Sequence, residues 1–137
     1  MTDPKGRGIV TATTPSPTAE RSRPELVRYL ECRFACAQAC EECARVCARR
    51  RFPAEPCHVS RLNTACGDVC DATFRVLAEQ GAHGDEDEER VRAQVEWCLA
   101  ICLQCVELCD GSPESTRCAD ACRRSARACD DFLAAMG

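Results

Sequence analysis

Cysteine recurs at helical spacing along two stretches of this chain, and no other feature restricts its fold as much. Cys32, Cys36, Cys40, Cys43 and Cys47 are separated by 4, 4, 3 and 4 residues; Cys98, Cys102, Cys105 and Cys109 by 4, 3 and 4. At about 100° of rotation per residue, the first row spans roughly 80° of a helix face and the second roughly 60°. Each helix therefore lines its inward stripe with thiols where Leu and Val are usual, and offers a row of soft ligands to its interior. That pattern predicts a helical, metal-binding core.

Composition supports the inference. The 137 residues suit a single domain. The apolar share of 45% includes 15 cysteines; without them about a third remains, well below the usual proportion. Free Cys packs as a small hydrophobe, so the metal-free chain can still fold. A core with so few large side chains should gain much of its rigidity from bound metal. Net charge is −4 with the basic residues spread out, which does not suggest a nucleic-acid partner. No stretch approaches a membrane span. Residues 1–21 are rich in Pro, Thr and Ser and read as a flexible extension. They contain no apolar run and no twin arginine, so no export signal is read there and the cytoplasm is the expected compartment. Thiols stay reduced there.

Start and stop signals predict four helices over residues 22–137. Ser22-Arg23-Pro24-Glu25 is a capping-box pattern that opens the first helix, which is expected to run to about Arg50. Pro53 and Pro56 bracket a turn, and the second helix is expected from about Pro56 to Gln80, stopping at Gly81. Asp85 can cap a third helix with an acidic first turn, ending near Asp110 before Gly111. Ser112-Pro113 then opens a fourth, to Met136. No segment reads as a strand.

The helices repeat. Cys-x3-Cys-x2-Cys-x3-Cys occurs at Cys36, Cys40, Cys43, Cys47 and again at Cys98, Cys102, Cys105, Cys109. Each copy is followed by a helix carrying Cys-x3-Cys, at Cys66 and Cys70 and at Cys118 and Cys122. Two such helical hairpins make an all-α, antiparallel four-helix bundle with inward thiol stripes. In that arrangement Cys43, Cys47, Cys57, Cys105, Cys109 and Cys118 cluster toward the end with the 51–56 and 110–113 loops. Toward the other end the expected inward residues are Tyr29, Phe74, Leu77, Val91, Val95, Phe132 and Leu133. The expectation is a thiol-lined tube, plugged at one end and open to loading at the other.

Disulfides fit this spacing poorly. Residues four apart on a helix have Cβ atoms about 5–6 Å apart, whereas a disulfide requires roughly 3.5–4.5 Å. Only cross-helix pairs remain, and an odd count leaves one thiol over. The Cys40/Cys43 and Cys102/Cys105 pairs have zinc-like spacing but lie inside longer helical rows. Four thiolates around Zn²⁺ leave a charge of −2 per site, costly to stack in a dry bundle. Cu(I) fits better. It is soft and selects thiolate, and one monovalent ion per thiolate leaves the core near neutrality. Bridging by a low-coordinate ion sets two sulfurs about 4.5 Å apart, taking the ~2.3 Å zinc–sulfur bond as a guide. The expected capacity is on the order of one Cu(I) per cysteine. A metallothionein-like buffer for Zn²⁺ or Cd²⁺ and a thiol redox protein are the alternatives; the latter would need an exposed, low-pKa Cys with a resolving partner.

The same residues carry a resemblance. Over roughly residues 22–136 the chain resembles the cytosolic branch of the bacterial copper storage proteins, through both four-cysteine rows and the Cys66/Cys70 and Cys118/Cys122 pairs. That resemblance implies a non-enzymatic four-helix bundle that sequesters Cu(I) as thiolate clusters, often as a homotetramer. The implied partners are copper ions and a copper chaperone or small-molecule copper carrier. The expected ligands are Cys32, Cys36, Cys40, Cys43, Cys47, Cys57, Cys66, Cys70, Cys98, Cys102, Cys105, Cys109, Cys118, Cys122, Cys129 and His58.

A few residues depart from the stripes. Cys57 lies nine residues before Cys66, about 180° around an ideal helix. With His58 it suggests a loading site, as the family's use of His near its open end also implies. His83 reads as plain surface. Ser125 occupies the inward position between Cys122 and Cys129 where a thiol would complete the row. Asn63, one turn before Cys66, suggests a polar lining group, and Trp97 a helix-packing or subunit contact.

Overall fold

The structure, a computed structural model, describes residues 22–48, 57–79, 85–109 and 116–137, apart from the side chains of residues 48, 57–60 and 85–87. The described residues form four helices: α1 (Arg23–Ala48), α2 (Cys57–Ala78), α3 (Asp85–Cys109) and α4 (Thr116–Met136). No strand occurs among the described residues.

The start of α1 follows directly from its sequence. The Ser22 N–H donates to Glu25 Oε1 (2.8 Å) and the Glu25 N–H donates to Ser22 Oγ (3.3 Å), the reciprocal capping box. The Leu26 N–H donates to the Ser22 carbonyl at 2.8 Å and opens the helical ladder. The last carbonyls of α2 are satisfied by a side chain of α1. Arg33 Nε donates to the Leu77 carbonyl (3.1 Å) and Nη2 to that of Val76 (3.4 Å). A guanidinium at a helix C-terminus also meets the negative end of its dipole. The predicted loops at 51–56, 81–84 and 110–113, with His83 and the extension at 1–21, lie outside the described residues.

Each helix borders two others, in the order α1, α2, α3, α4 and back to α1. The direction alternates. Tyr29, early in α1, stacks on Phe132, late in α4, while Cys47, late in α1, meets Cys118, early in α4. The predicted antiparallel bundle of two hairpins is therefore the observed fold. Sulfur contacts also cross both diagonals, Cys40 to Cys98 between α1 and α3 (3.6 Å) and Cys66 to Cys122 between α2 and α4 (3.8 Å). Thiols in place of Leu bring opposite helices close enough for that.

One end is closed by apolar groups. The Tyr29 and Phe132 ring centroids are 5.3 Å apart with planes tilted by 58°. The Tyr29 hydroxyl donates to Glu88 Oε1 (3.1 Å) and accepts from Arg33 Nη1 (3.2 Å). Leu77, Val91 and Val95 are buried as expected. Phe74 and Leu133 are only half-buried, and Thr73 and Met136 are buried instead. The reason lies in helical phase: the inward stripe of α2 runs Cys66, Cys70, Thr73, Leu77, one position off Phe74.

Candidate metal centre

All fourteen described cysteines are free thiols; thirteen are buried and Cys32 is half-buried. The two 3-4 rows bring α1 and α3 thiols into the interior from opposite corners. The shorter rows of α2 and α4 fill the corners between. Cys47 Sγ lies 3.4 Å from Cys118 Sγ, Cys43 lies 3.6 Å from Cys122, and Cys70 lies 3.5 Å from Cys102. Along one helix, Cys43 to Cys47 and Cys105 to Cys109 are each 3.9 Å, which rotamer choice achieves although their backbones are a full turn apart.

Four sets of sulfurs lie within 4.8 Å of one another: Cys43, Cys66, Cys70, Cys102; Cys43, Cys47, Cys66, Cys122; Cys47, Cys105, Cys118, Cys122; and Cys36, Cys40, Cys129. The first three share members, so eight thiols form one linked array instead of isolated tetrahedral sites. The fourth set stands apart, toward Phe132. Sulfurs around a two- or three-coordinate ion would sit about 4.0–4.5 Å apart on the zinc–sulfur guide. The observed spacings need only small rotamer adjustments to reach that range.

Among the described residues, side-chain oxygen meets the sulfurs at two places. Asn63, buried on α2, accepts thiol hydrogen bonds at Oδ1 from Cys105 (3.0 Å), Cys109 (3.6 Å) and Cys118 (3.6 Å). Its Nδ2 is buried with no hydrogen-bond partner. Ser125 Oγ lies 3.6 Å from Cys40 Sγ and accepts from Cys102 Sγ at 3.5 Å. Both residues line the core, as expected from their phase.

Shared protons divide the thiols into two kinds. Hydrogen bonds from Cys129 and then Cys36 hold Cys40 down to about 5. Contacts led by Cys122 lower Cys102, and those led by Cys109 lower Cys105. Their neighbours move the other way. Cys43 is pushed up to about 11, Cys102 being the first cause, and Cys102 is also first in raising Cys66, Cys70 and Cys122. A thiolate is stabilised by the S–H groups around it, and those groups in turn keep their protons. Proton affinity is thus spread unevenly along the metal-free core. Each cation that enters must displace protons from the thiols it binds.

These features decide the family. The copper storage protein family matches residues 22–134, the whole bundle. The chain belongs to that family.

Solved structures agree. Among them is the Streptomyces lividans copper storage protein Ccsp loaded with 10 copper equivalents. It is 31% identical, with a TM-score of 0.57, and the match covers 89% of this chain and 93% of that one. A second structure is described as copper loading to a cytosolic copper storage protein from Streptomyces lividans, with five coppers. It is 32% identical, with a TM-score of 0.54, and the match covers 82% of this chain and 94% of that one. A Streptomyces lividans Ccsp variant with one histidine replaced by alanine is 32% identical at a TM-score of 0.56, and the match covers 85% of this chain and 98% of that one. No curated protein matches the chain.

Of the expected ligands, the structure brings thirteen cysteines together and leaves Cys32 half-buried at the rim of the plugged end. Cys57 is the first residue of α2; its side chain and that of His58 lie outside the described residues. Trp97 is exposed, as a subunit contact would require. The Arg33 clasp on α2 was not anticipated. The one sequence signal for it was a lone Arg one turn after Tyr29, beside the plug.

Proposed function

We propose that this copper storage protein sequesters Cu(I) in the cytoplasm and holds many ions as thiolate clusters along its core. The observation that carries the reading is the sharing of Cys43, Cys47, Cys66 and Cys122 between neighbouring four-thiol sets. Shared ligands suit a soft ion of low coordination number that bridges from site to site. They suit discrete tetrahedral ions less well, because filling one site strips the next. The cytoplasmic assignment follows the relative described as cytosolic; no described helix is long and apolar enough to cross a membrane.

The role is storage without catalysis, supplied by a copper chaperone or small-molecule carrier. Anaerobic titration of reduced apo-protein with Cu(I) against a competing chelator tests it. Storage requires uptake on the order of one ion per thiolate with little change in helicity. Saturation after a few ions, or tighter uptake of Zn²⁺ than Cu(I), would favour discrete zinc-like sites and end the storage reading.

Two finer parts of the proposal have separate tests. Cys57 and His58 receive incoming copper at the Cys47 end; replacing both with Ala slows loading and removes little capacity, and an unchanged rate rejects the assignment. The protein assembles as a homotetramer through exposed apolar side chains on two opposite helices. Phe34 on α1 is 67% exposed and Trp97 on α3 is 58% exposed, more than an isolated bundle has reason to leave in water. Light scattering on the native protein and on Trp97→Glu measures this, and a native monomer would refute it.

A further inference from the structure

We infer that Ser125 divides the thiol array, so that Cys36, Cys40 and Cys129 form a separate inner Cu(I) site behind the main store. The inference rests on the storage reading above and concerns how the store is partitioned.

The division begins in the repeat. Cys66, Cys70 and Thr73 on α2 correspond to Cys118, Cys122 and Ser125 on α4, so the same step of each second helix carries a hydroxyl in place of a thiol. Both hydroxyls are fully buried. Thr73 is occupied elsewhere: it donates to the Val69 carbonyl (2.7 Å) and accepts from Gln94 Nε2 (2.9 Å). Ser125 points among the sulfurs, between Cys40 of the inner set and Cys102 of the main array. A neutral alcohol oxygen is a poor ligand for Cu(I), which selects thiolate. Copper can therefore bridge the two sets past Cys98, which lies 3.6 Å from Cys40 and 3.7 Å from Cys70. On the α4 side the ligand is missing.

Beyond this waist α2 contributes no thiol and α3 contributes only Cys98, which also contacts Cys129. The second hairpin's counterpart of Cys32 is Gln94, and α2 carries Leu77 where α4 carries Cys129. Cys36, Cys40 and Cys129 are themselves fully buried, with Val95 and Phe132 also fully buried at this end of the core. Their three sulfurs lie within 4.8 Å, close to the roughly 4.0 Å expected around one three-coordinate ion on the zinc–sulfur guide. The inner set is thus a dry trithiol site that meets the rest of the array on the α2 and α3 side, at Cys70 and Cys98, and not on the α4 side.

Copper removal from the fully loaded protein by excess Cu(I) chelator, followed anaerobically by stopped flow, tests the division. Wild type should release copper in two phases, the slower carrying the minority share that three thiols can hold. Cys129→Ser should abolish the slow phase. Ser125→Cys should merge the phases and raise capacity, while Ser125→Ala should keep both phases, since it adds no sulfur. A single phase in wild type, or a slow phase that survives both Cys129→Ser and Ser125→Cys, would overturn the inference. Circular dichroism of each apo-variant separates these results from misfolding. A wild type that takes up only a few ions would instead overturn storage itself.

Discussion

The Cys105 thiol donates to Asn63 Oδ1 across 3.0 Å, yet Nδ2 of the same buried amide has no hydrogen-bond partner. In the metal-free protein the amide is half satisfied, accepting from three thiols and donating to none. Copper loading inverts the chemistry around it, because thiolates accept hydrogen bonds and cannot donate them.

Asn63→Leu should therefore act oppositely on the two states. An unpaired buried donor costs about 1–3 kcal/mol, and the lost acceptor served only weak S–H donors. The apo-variant is expected to gain about 1 kcal/mol in urea unfolding. The loaded variant is expected to lose the Nδ2-to-thiolate bonds and to gain less from copper than wild type does. A less stable apo-variant would show that the amide is already satisfied.

Removing one thiol should cost copper in proportion to how many sets share it. Cys122 belongs to two four-sulfur sets, whereas Cys32 belongs to none. Cys122→Ala is expected to lose more than one ion of capacity, and Cys32→Ala about one or none, on the scale of one ion per thiolate. Anaerobic titration of the two variants side by side measures the difference. Equal losses would mean that the sets do not share ions.

Most of this architecture was legible because a thiol is both a core residue and a ligand. The 3-4 spacing that set helix phase also placed the ligands, so Cys36 to Cys47 and Cys98 to Cys109 face inward as read from period alone. The spacing and the antiparallel order showed which end each thiol lies toward, but not the exact register of one helix against the next. Cys32 keeps the period of α1 but runs past the last facing thiols, where α3 supplies Gln94 and Val95. Phe74 failed by a single step of phase, because Thr73, though polar, is carried inward by its bonds to Val69 and Gln94. Ser125 could be seen as a gap in a row, but its place between Cys40 and Cys102 needed three helices at once.

Alkaline pH should destabilise the metal-free protein and spare the loaded one. Cys43 is raised from 9.0 to about 11 by its buried neighbours, and Cys66, Cys70 and Cys122 are raised as well. For these groups the folded state favours the protonated form. Their contribution is complete below the unfolded value of 9.0 and is lost as pH rises through the folded values. Cys40 has the opposite sign, its contribution present above the ordinary value and lost as pH falls through about 5. More described thiols are raised than lowered, so apo stability should fall between pH 9 and 11, by on the order of 2 kcal/mol. Urea unfolding under argon across that range checks the sign. Copper-bound thiolates have no proton to lose, and the loaded protein should show a nearly flat profile.

Closure of the Phe132 end should prove separable from copper capacity. Phe132 is fully buried against Tyr29, and Tyr29 is fixed by Arg33 and Glu88. Phe132→Ala removes the ring without removing a ligand. The cavity is expected to cost about 3–5 kcal/mol of apo stability, as buried Phe→Ala changes generally do. Saturating copper uptake should stay within about one ion of wild type, because ligand number sets capacity. The chelator should now reach Cys36 and Cys129 from behind and speed copper release from the inner thiols. Tyr29→Phe keeps the ring and loses only the hydroxyl, so it should cost about 1 kcal/mol and leave release unchanged. If both variants released copper at the wild-type rate, the stack would be holding the helices together without sealing the core.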